Sequence, residues 1–127
     1  MSKTFKKILF IIVTVLMIVT MTTVVFAEEA DYDGFSYIIV DGEATITGYD
    51  GGAETLIIPS EIIEKDKRYI VTEIAENAFE GNTVIESLFV PEGVKKINSS
   101  AFAGCKSLKS AVLPESATDL GSGVFYD

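Results

Sequence analysis

The residue types on which most enzyme mechanisms depend are scarce in this chain of 127 residues. It contains no His and a single Cys, Cys105. Without His, neither a Ser-His-Asp nor a Cys-His arrangement can be built, and every His-ligated metal site is excluded. One Cys alone forms neither an intramolecular disulfide nor a Cys-ligated zinc or iron–sulfur site. Because free Cys is among the most often buried residue types, we interpret Cys105 as a core residue rather than a nucleophile.

Carboxylates are the remaining candidates for acid–base chemistry. Asp and Glu total 19, and they are spread along the chain rather than clustered. The repeat described below brings together only Glu92 and Glu115, which we expect to be adjacent exposed charges at a Pro-Glu turn. Lys and Arg total 10, so the net charge is −9, and nucleic-acid binding requires the opposite sign. The sequence therefore predicts no catalytic residue, no metal site, no cofactor and no nucleic-acid partner.

The first 27 residues have the pattern of an export signal. Three lysines within the first seven residues precede an uncharged, largely apolar run over residues 8–26, which closes with Val25-Phe26-Ala27. A basic start, an apolar middle and small residues before the end are typical of a secretory signal peptide. We predict cleavage after Ala27, before Glu28. The run also approaches the roughly 20 residues of a membrane helix, so an uncleaved N-terminal anchor is the alternative. In both cases the remaining chain is exported.

The exported part is repetitive. Residues 74–96 align with residues 97–119 at a constant offset of 23, and a partial third copy starts at Leu120. The segment 56–59 matches 88–91 at an offset of 32, with the nine extra residues in the charged segment 63–71. A fixed period in this range predicts a solenoid, in which small units stack and share one core.

Each unit contains a short strand and a tight turn. The alternation Ser87-Leu88-Phe89-Val90 predicts a strand that Pro91 ends. Ala101-Phe102 followed by Gly104 predicts a tight or single helical turn with the Phe pointing inward. Because Phe79, Phe102 and Phe125 recur at the repeat period beside small residues, we expect them to form a ladder in the core.

The segment before the repeats has a different pattern. Residues 35–49 contain two β-rich runs joined by Asp41-Gly42, which is a strong hairpin signal. We predict that this hairpin caps the N-terminal end of the stack, and that residues 28–34 form a mobile acidic leader. The predicted organisation is a signal peptide over 1–27, the leader over 28–34 and a repeat domain over 35–127, with the hairpin at 35–49 and the repeats at 55–127.

The pattern Ile-x-x-x-Ala-Phe-x-Gly, followed by Leu-Pro and repeated every 23 residues, resembles the BspA-type leucine-rich repeat of bacterial surface proteins. It is clearest from Ile74 to Asp127. The resemblance implies a mainly β, parallel-stranded solenoid with short helical turns, used as a binding surface and in some members for adhesion. It implies no catalytic residue.

The strand register selects one candidate binding surface. If the flanking residues point inward, Ile57, Phe89 and Val112 point outward and line up across adjacent strands about 5 Å apart. Exposed contiguous apolar surface indicates an interaction site, with a protein or a surface glycan as the partner. The alternative is that the leader or the 63–71 segment covers this row. If the Phe89 side chain is exposed, Phe89→Ser should lower the free energy of unfolding by only about 0.5 kcal/mol.

A different function is compatible with the same pattern. The chain could be a capping or truncated repeat fragment that docks another repeat chain. Few repeats and an uncovered last unit predict self-association through the C-terminal end, because an open strand edge invites pairing.

Overall fold

The computed structural model of the chain describes residues 30–127, which contain ten β-strands and no helix. The predicted signal peptide and its cleavage site lie outside the described residues. No membrane-spanning helix occurs within residues 30–127. The strands are β1 (Ala30–Tyr32), β2 (Phe35–Val40), β3 (Glu43–Tyr49), β4 (Thr55–Ile57), β5 (Glu61–Glu64), β6 (Lys67–Ile74), β7 (Ser87–Phe89), β8 (Lys96–Ile97), β9 (Ser110–Val112) and β10 (Asp119–Leu120).

The N-terminal cap is a three-stranded antiparallel meander. The predicted hairpin is confirmed, because β2 pairs with β3 across Asp41-Gly42. Both turn residues have positive φ, 50° and 82°, the geometry of the type I′ turn that fits strand twist. The prediction of a mobile leader is wrong for residues 30–32, since they form β1 and pair with β2. A second Asp-Gly turn, Asp33-Gly34 with φ of 52° and 84°, explains this strand.

The charged insertion between the first two repeat units is a second hairpin. Strands β5 and β6 pair antiparallel around Lys65-Asp66, whose φ angles are 49° and 64°. Ile62, on β5, is fully buried and anchors the hairpin to the core. Sequence reasoning missed this element because its turn carries no Gly, although the alternation of apolar and charged residues around it was a usable signal.

The repeats stack as two parallel ladders. In the larger, seven-stranded sheet the order is β1-β2-β3-β6-β8-β10, with β5 also paired to β6. In the three-stranded sheet the order is β4-β7-β9. Ile74 pairs with Ile97 and Ile97 with Leu120, while Leu88 pairs with Leu56 and Ala111. Both the 23-residue and the 32-residue offsets are therefore confirmed as strand registers.

An aromatic ladder runs through the turns beside the core. Phe79 and Phe102 stack with ring centroids 4.7 Å apart, and Phe102 and Phe125 stack at 5.6 Å. Tyr49 lies 6.4 Å from Phe79 and 4.7 Å from Phe35, so the cap extends the predicted ladder. Phe79 and Phe102 are buried, whereas Phe125 at the end of the ladder remains 41% exposed.

The backbone of the turns explains the Ala-Phe-x-Gly motif. The N–H of Phe79 donates to the carbonyl of Ala101 at 2.8 Å, and the N–H of Phe102 donates to Val124 at 2.9 Å. Gly81 and Gly104 close the turns with φ of 72° and 67°, a conformation that favours glycine. Of the two predicted kinds of turn, tight or helical, the structure has tight turns, linked from unit to unit by main-chain hydrogen bonds.

Candidate binding surface

The three predicted binding residues lie side by side on the outer face of the three-stranded sheet. Ile57 on β4 pairs with Phe89 on β7, which pairs with Val112 on β9. Their exposed fractions are 62%, 44% and 56%. Neither β1 nor the insertion hairpin covers the row, so among residues 30–127 it faces solvent. We call these three residues the apolar row.

The opposite face of the same strands enters the core. Leu56 and Leu88 are buried, as are Ile58 and Val90 at the strand ends. Ala111 occupies the register position of Leu88 but is exposed. No described unit packs beyond β9, whereas Leu56 on the other edge strand, β4, is buried in the same core cluster as the cap residues Phe35 and Tyr37. The alternation that predicted the outward row therefore holds, while burial of the inward residues depends on what packs beyond the edge of the sheet.

A row of hydroxyl groups lies beside the apolar row. Thr55, Ser87 and Ser110 are in register on the same three strands. The Oγ of Ser110 donates to the Oγ of Ser87 at 3.1 Å. Because alternate residues of a strand share a face, the two rows are neighbours on one surface. This surface offers both apolar contact and hydrogen-bonding groups, and sequence reasoning singled out only the first.

Ion pairs and turn contacts fix the strand register at both ends of this surface. Lys109 Nζ lies 2.8 Å from Glu86 Oε2, which joins two consecutive units. The carboxylate of Glu92 accepts hydrogen bonds from the N–H groups of Glu115 and Ser116, at 3.1 and 3.3 Å. Glu92 and Glu115 are adjacent and exposed, as predicted, but Glu92 holds the backbone of the next turn.

Cys105 packs against the core and is half-buried. Its thiol donates to the carbonyl of Phe79, with Sγ 3.2 Å from the oxygen. Burial raises the pKa of the Cys105 thiol, and a backbone hydrogen bond from Asn82 opposes this only in part. A raised pKa keeps the group protonated at neutral pH, which is the reverse of what a nucleophilic cysteine requires.

A second polar cluster joins the N-terminal cap to the repeats. The carboxylate of Glu43 accepts a hydrogen bond from Thr72 Oγ1 at 2.9 Å and lies 3.2 Å from Lys95 Nζ. The Thr72 hydroxyl, followed by Lys95, lowers the pKa of Glu43. Among residues 30–127 no group of three or more metal-ligating side chains converges. The contacts with Thr72 and Lys95 give Glu43 a structural role, which the sequence alone gave no reason to expect.

The stacked parallel strands, the inward aliphatic ladders and the recurring Phe turns define a leucine-rich repeat solenoid. Residues 57–127 match the family described as BspA type leucine rich repeat region (6 copies). The match spans more than half of the sequence, and the chain belongs to this family. The suspected resemblance is confirmed.

Several solved bacterial structures share the fold. A leucine rich cell surface protein from Faecalibacterium prausnitzii is similar at a TM-score of 0.64 and 28% identity, over 72% of this chain and 26% of that one. A leucine-rich repeat protein from Bacteroides capillosus is similar at a TM-score of 0.61 and 31% identity, over 72% of this chain and 64% of that one. The leucine-rich repeat protein of T. pallidum is similar at a TM-score of 0.64 and 28% identity, over 72% of this chain and 42% of that one.

This chain spans only about a quarter of the first of these structures and under two thirds of the second. The comparison with curated proteins returned no match. The family and these structures support a repeat protein of the kind that serves as a binding module, and one of them is a cell surface protein.

Proposed function

We propose that this protein is an exported, non-enzymatic binding module whose partner contacts the apolar row and the hydroxyl row beside it. Its place is outside the cell, released or held at the surface, and its role is adhesin-like. The preferred partner is a protein, with a surface glycan as the second class of ligand. The observation that carries the proposal is the exposed, in-register alignment of Ile57, Phe89 and Val112.

Physical reasoning favours contact at this surface. Soluble proteins rarely leave adjacent large apolar side chains in solvent without a use for them. Aromatic residues also contribute disproportionately to binding energy when a partner covers them. Phe89 lies between its two neighbours on the central strand of the sheet. It is therefore the residue whose truncation should weaken binding most.

The test compares two substitutions of equal exposure. Phe89→Ser removes the centre of the apolar row, and Ile63→Ser on the insertion hairpin is the matched control, since these residues are 44% and 45% exposed. The chain, purified after export from a bacterial host, is assayed on arrays of extracellular matrix proteins and of surface glycans. We expect a signal from the natural sequence that Phe89→Ser lowers and Ile63→Ser leaves intact. A binding signal retained equally in both variants would contradict the proposal.

A second candidate function is docking of another repeat chain at the C-terminal end. Leu120, Phe125 and Tyr126 are exposed there, and β9 and β10 each have one unpaired edge among the described residues. Stacking of a further unit would cover these side chains. Sedimentation velocity over a range of concentrations tests this: association that Leu120→Ser abolishes supports it, and a monomer at every concentration contradicts it.

A further inference from the structure

The N-terminal cap covers one ladder and leaves the other open. In the seven-stranded sheet, β2 and β1 extend the ladder beyond β3. In the three-stranded sheet, β4 belongs to the same unit as β3, yet within residues 30–127 no strand pairs with its outer side. The larger sheet therefore extends two strands further at its N-terminal end, while the outer edge of β4 is free. This edge lies inside the chain, at residues 55–57, and is distinct from the C-terminal end.

The hydrogen bonds around β4 show which of its backbone groups face the free edge. The N–H of Ser87 donates to the carbonyl of Glu54, and the N–H of Ile58 donates to the carbonyl of Phe89, both at 3.0 Å. Residues 54 and 58 thus point toward β7. Since successive residues of a parallel strand alternate their hydrogen-bonding sides, Thr55 and Ile57 direct their N–H and C=O groups to the free edge. Both residues are exposed.

The sequence around this edge is acidic. The sequence from residue 30 to 60 contains no Lys or Arg. Glu54 immediately precedes β4, and Asp33 and Asp50 lie in adjoining turns, because the N–H of Asp50 donates to the carbonyl of Gly34 at 3.0 Å. An unpaired strand edge attracts an extended chain, and the local charge selects a basic one.

We infer that the β4 edge accepts an extended, positively charged segment of a partner protein, which adds to the three-stranded sheet as a fourth strand. Main-chain hydrogen bonds to Thr55 and Ile57 supply the contact, as in β-strand addition. Basic side chains of the segment approach Glu54. Alternate side chains of the added strand fall next to Ile57 and lengthen the apolar row. The site goes beyond the proposed function, since it is a backbone edge and not the outer face.

The experiment uses a short peptide of alternating Val and Lys with blocked ends, and its counterpart of alternating Val and Glu. Thr55→Pro removes an N–H from the free edge without removing a bond to β7. Ala111→Pro is the matched control at the opposite edge of the sheet. There the N–H of Ser110 donates to Glu86 and the carbonyl of Val112 accepts from Val90, so the Ala111 N–H points away from β7.

We expect the Val-Lys peptide to bind the natural sequence and Ala111→Pro equally, and to bind Thr55→Pro about fivefold more weakly, the equivalent of one hydrogen bond. The Val-Glu peptide should not bind, and added salt should weaken the Val-Lys peptide. Phe89→Ser should leave this binding unchanged, which separates the edge from the face.

Several results would overturn the inference. These are equal losses in both proline variants, no loss in Thr55→Pro, or equal affinity for the acidic peptide. A dimer that Thr55→Pro dissolves would assign the edge to a second copy instead. Should Thr55→Pro fail to fold, a Val-Lys peptide with methylated amide nitrogens replaces it, and undiminished binding of that peptide to the natural sequence would refute strand addition.

Discussion

Replacement of Phe102 by Ala should be far more damaging than the same replacement of Phe125, although the two residues are equivalent in the repeat. Phe102 is 1% exposed and stacks between Phe79 and Phe125 at 4.7 and 5.6 Å. Truncation of a fully buried Phe costs about 3–5 kcal/mol. A domain of this size has a total stability of only about 5–15 kcal/mol. Phe102→Ala should therefore remove a large share of the free energy of unfolding.

The corresponding loss at Phe125 follows from its exposure. Phe125 is 41% exposed and stacks on one neighbour only. Complete burial of a Phe side chain contributes about 1.5–3 kcal/mol. The covered fraction at Phe125 then corresponds to a loss of about 1–2 kcal/mol. The contrast tests whether the units share one continuous core.

Urea unfolding of the purified protein measures both losses, and the slope of the transition checks that the unfolded states are comparable. Phe102→Leu serves as the control, since it keeps most of the buried volume and should therefore cost less than Phe102→Ala. Equal losses at Phe102 and Phe125, or a loss below about 2 kcal/mol for Phe102→Ala, would refute the reasoning.

Three further predictions concern separate parts of the chain. Gly121→Ala should destabilise by about 1–3 kcal/mol in thermal melts, because a Cβ there would clash with the backbone nitrogen of Ser99; an unchanged melting temperature would contradict this. The pKa of Glu43 is lowered by the Thr72 hydroxyl and Lys95. Its contribution to the stability of the fold is therefore present above the pKa of the unfolded state and is lost as the pH falls through the pKa of the folded state. Glu43→Gln should flatten the dependence of stability on acid pH, and an identical pH profile would count against the contact. Mass spectrometry of the exported protein should give an N-terminus at Glu28, whereas full-length protein confined to membranes would establish the uncleaved anchor.

The structure also changes the magnitude expected for Phe89→Ser. The outward direction of Phe89 suggested a loss of about 0.5 kcal/mol. With 44% of its surface exposed, more than half is covered, and a proportional share of the burial energy is about 1–1.5 kcal/mol. A loss above about 3 kcal/mol would show that the side chain is buried in solution.

Periodicity in the sequence determined the architecture. The 23-residue offset fixed which residues pair, because identical units can share a core only when their strands align in the same register. The two-residue period of a strand then fixed that Phe89 points away from Leu88 and Val90. Asp41-Gly42 predicted the cap hairpin for an equally local reason, since two residues of positive φ are required there. Such features depend on neighbours in the sequence and can be inferred from it.

Only the tertiary structure decided which repeated positions are buried and which edges are open. Ala111 shares a register with Leu88 and Leu56, yet only Ala111 is exposed, because a repeat unit or the cap packs beyond the other two positions. The insertion hairpin and the strand β1 formed where composition suggested charged loops, because packing of Ile62 and pairing with β2 offset the weak local signal. The free edge of β4 likewise follows from where the cap lies, since the cap extends one sheet and not the other. Contacts between residues distant in sequence set the buried positions and the open edges, and no local pattern encodes these two features.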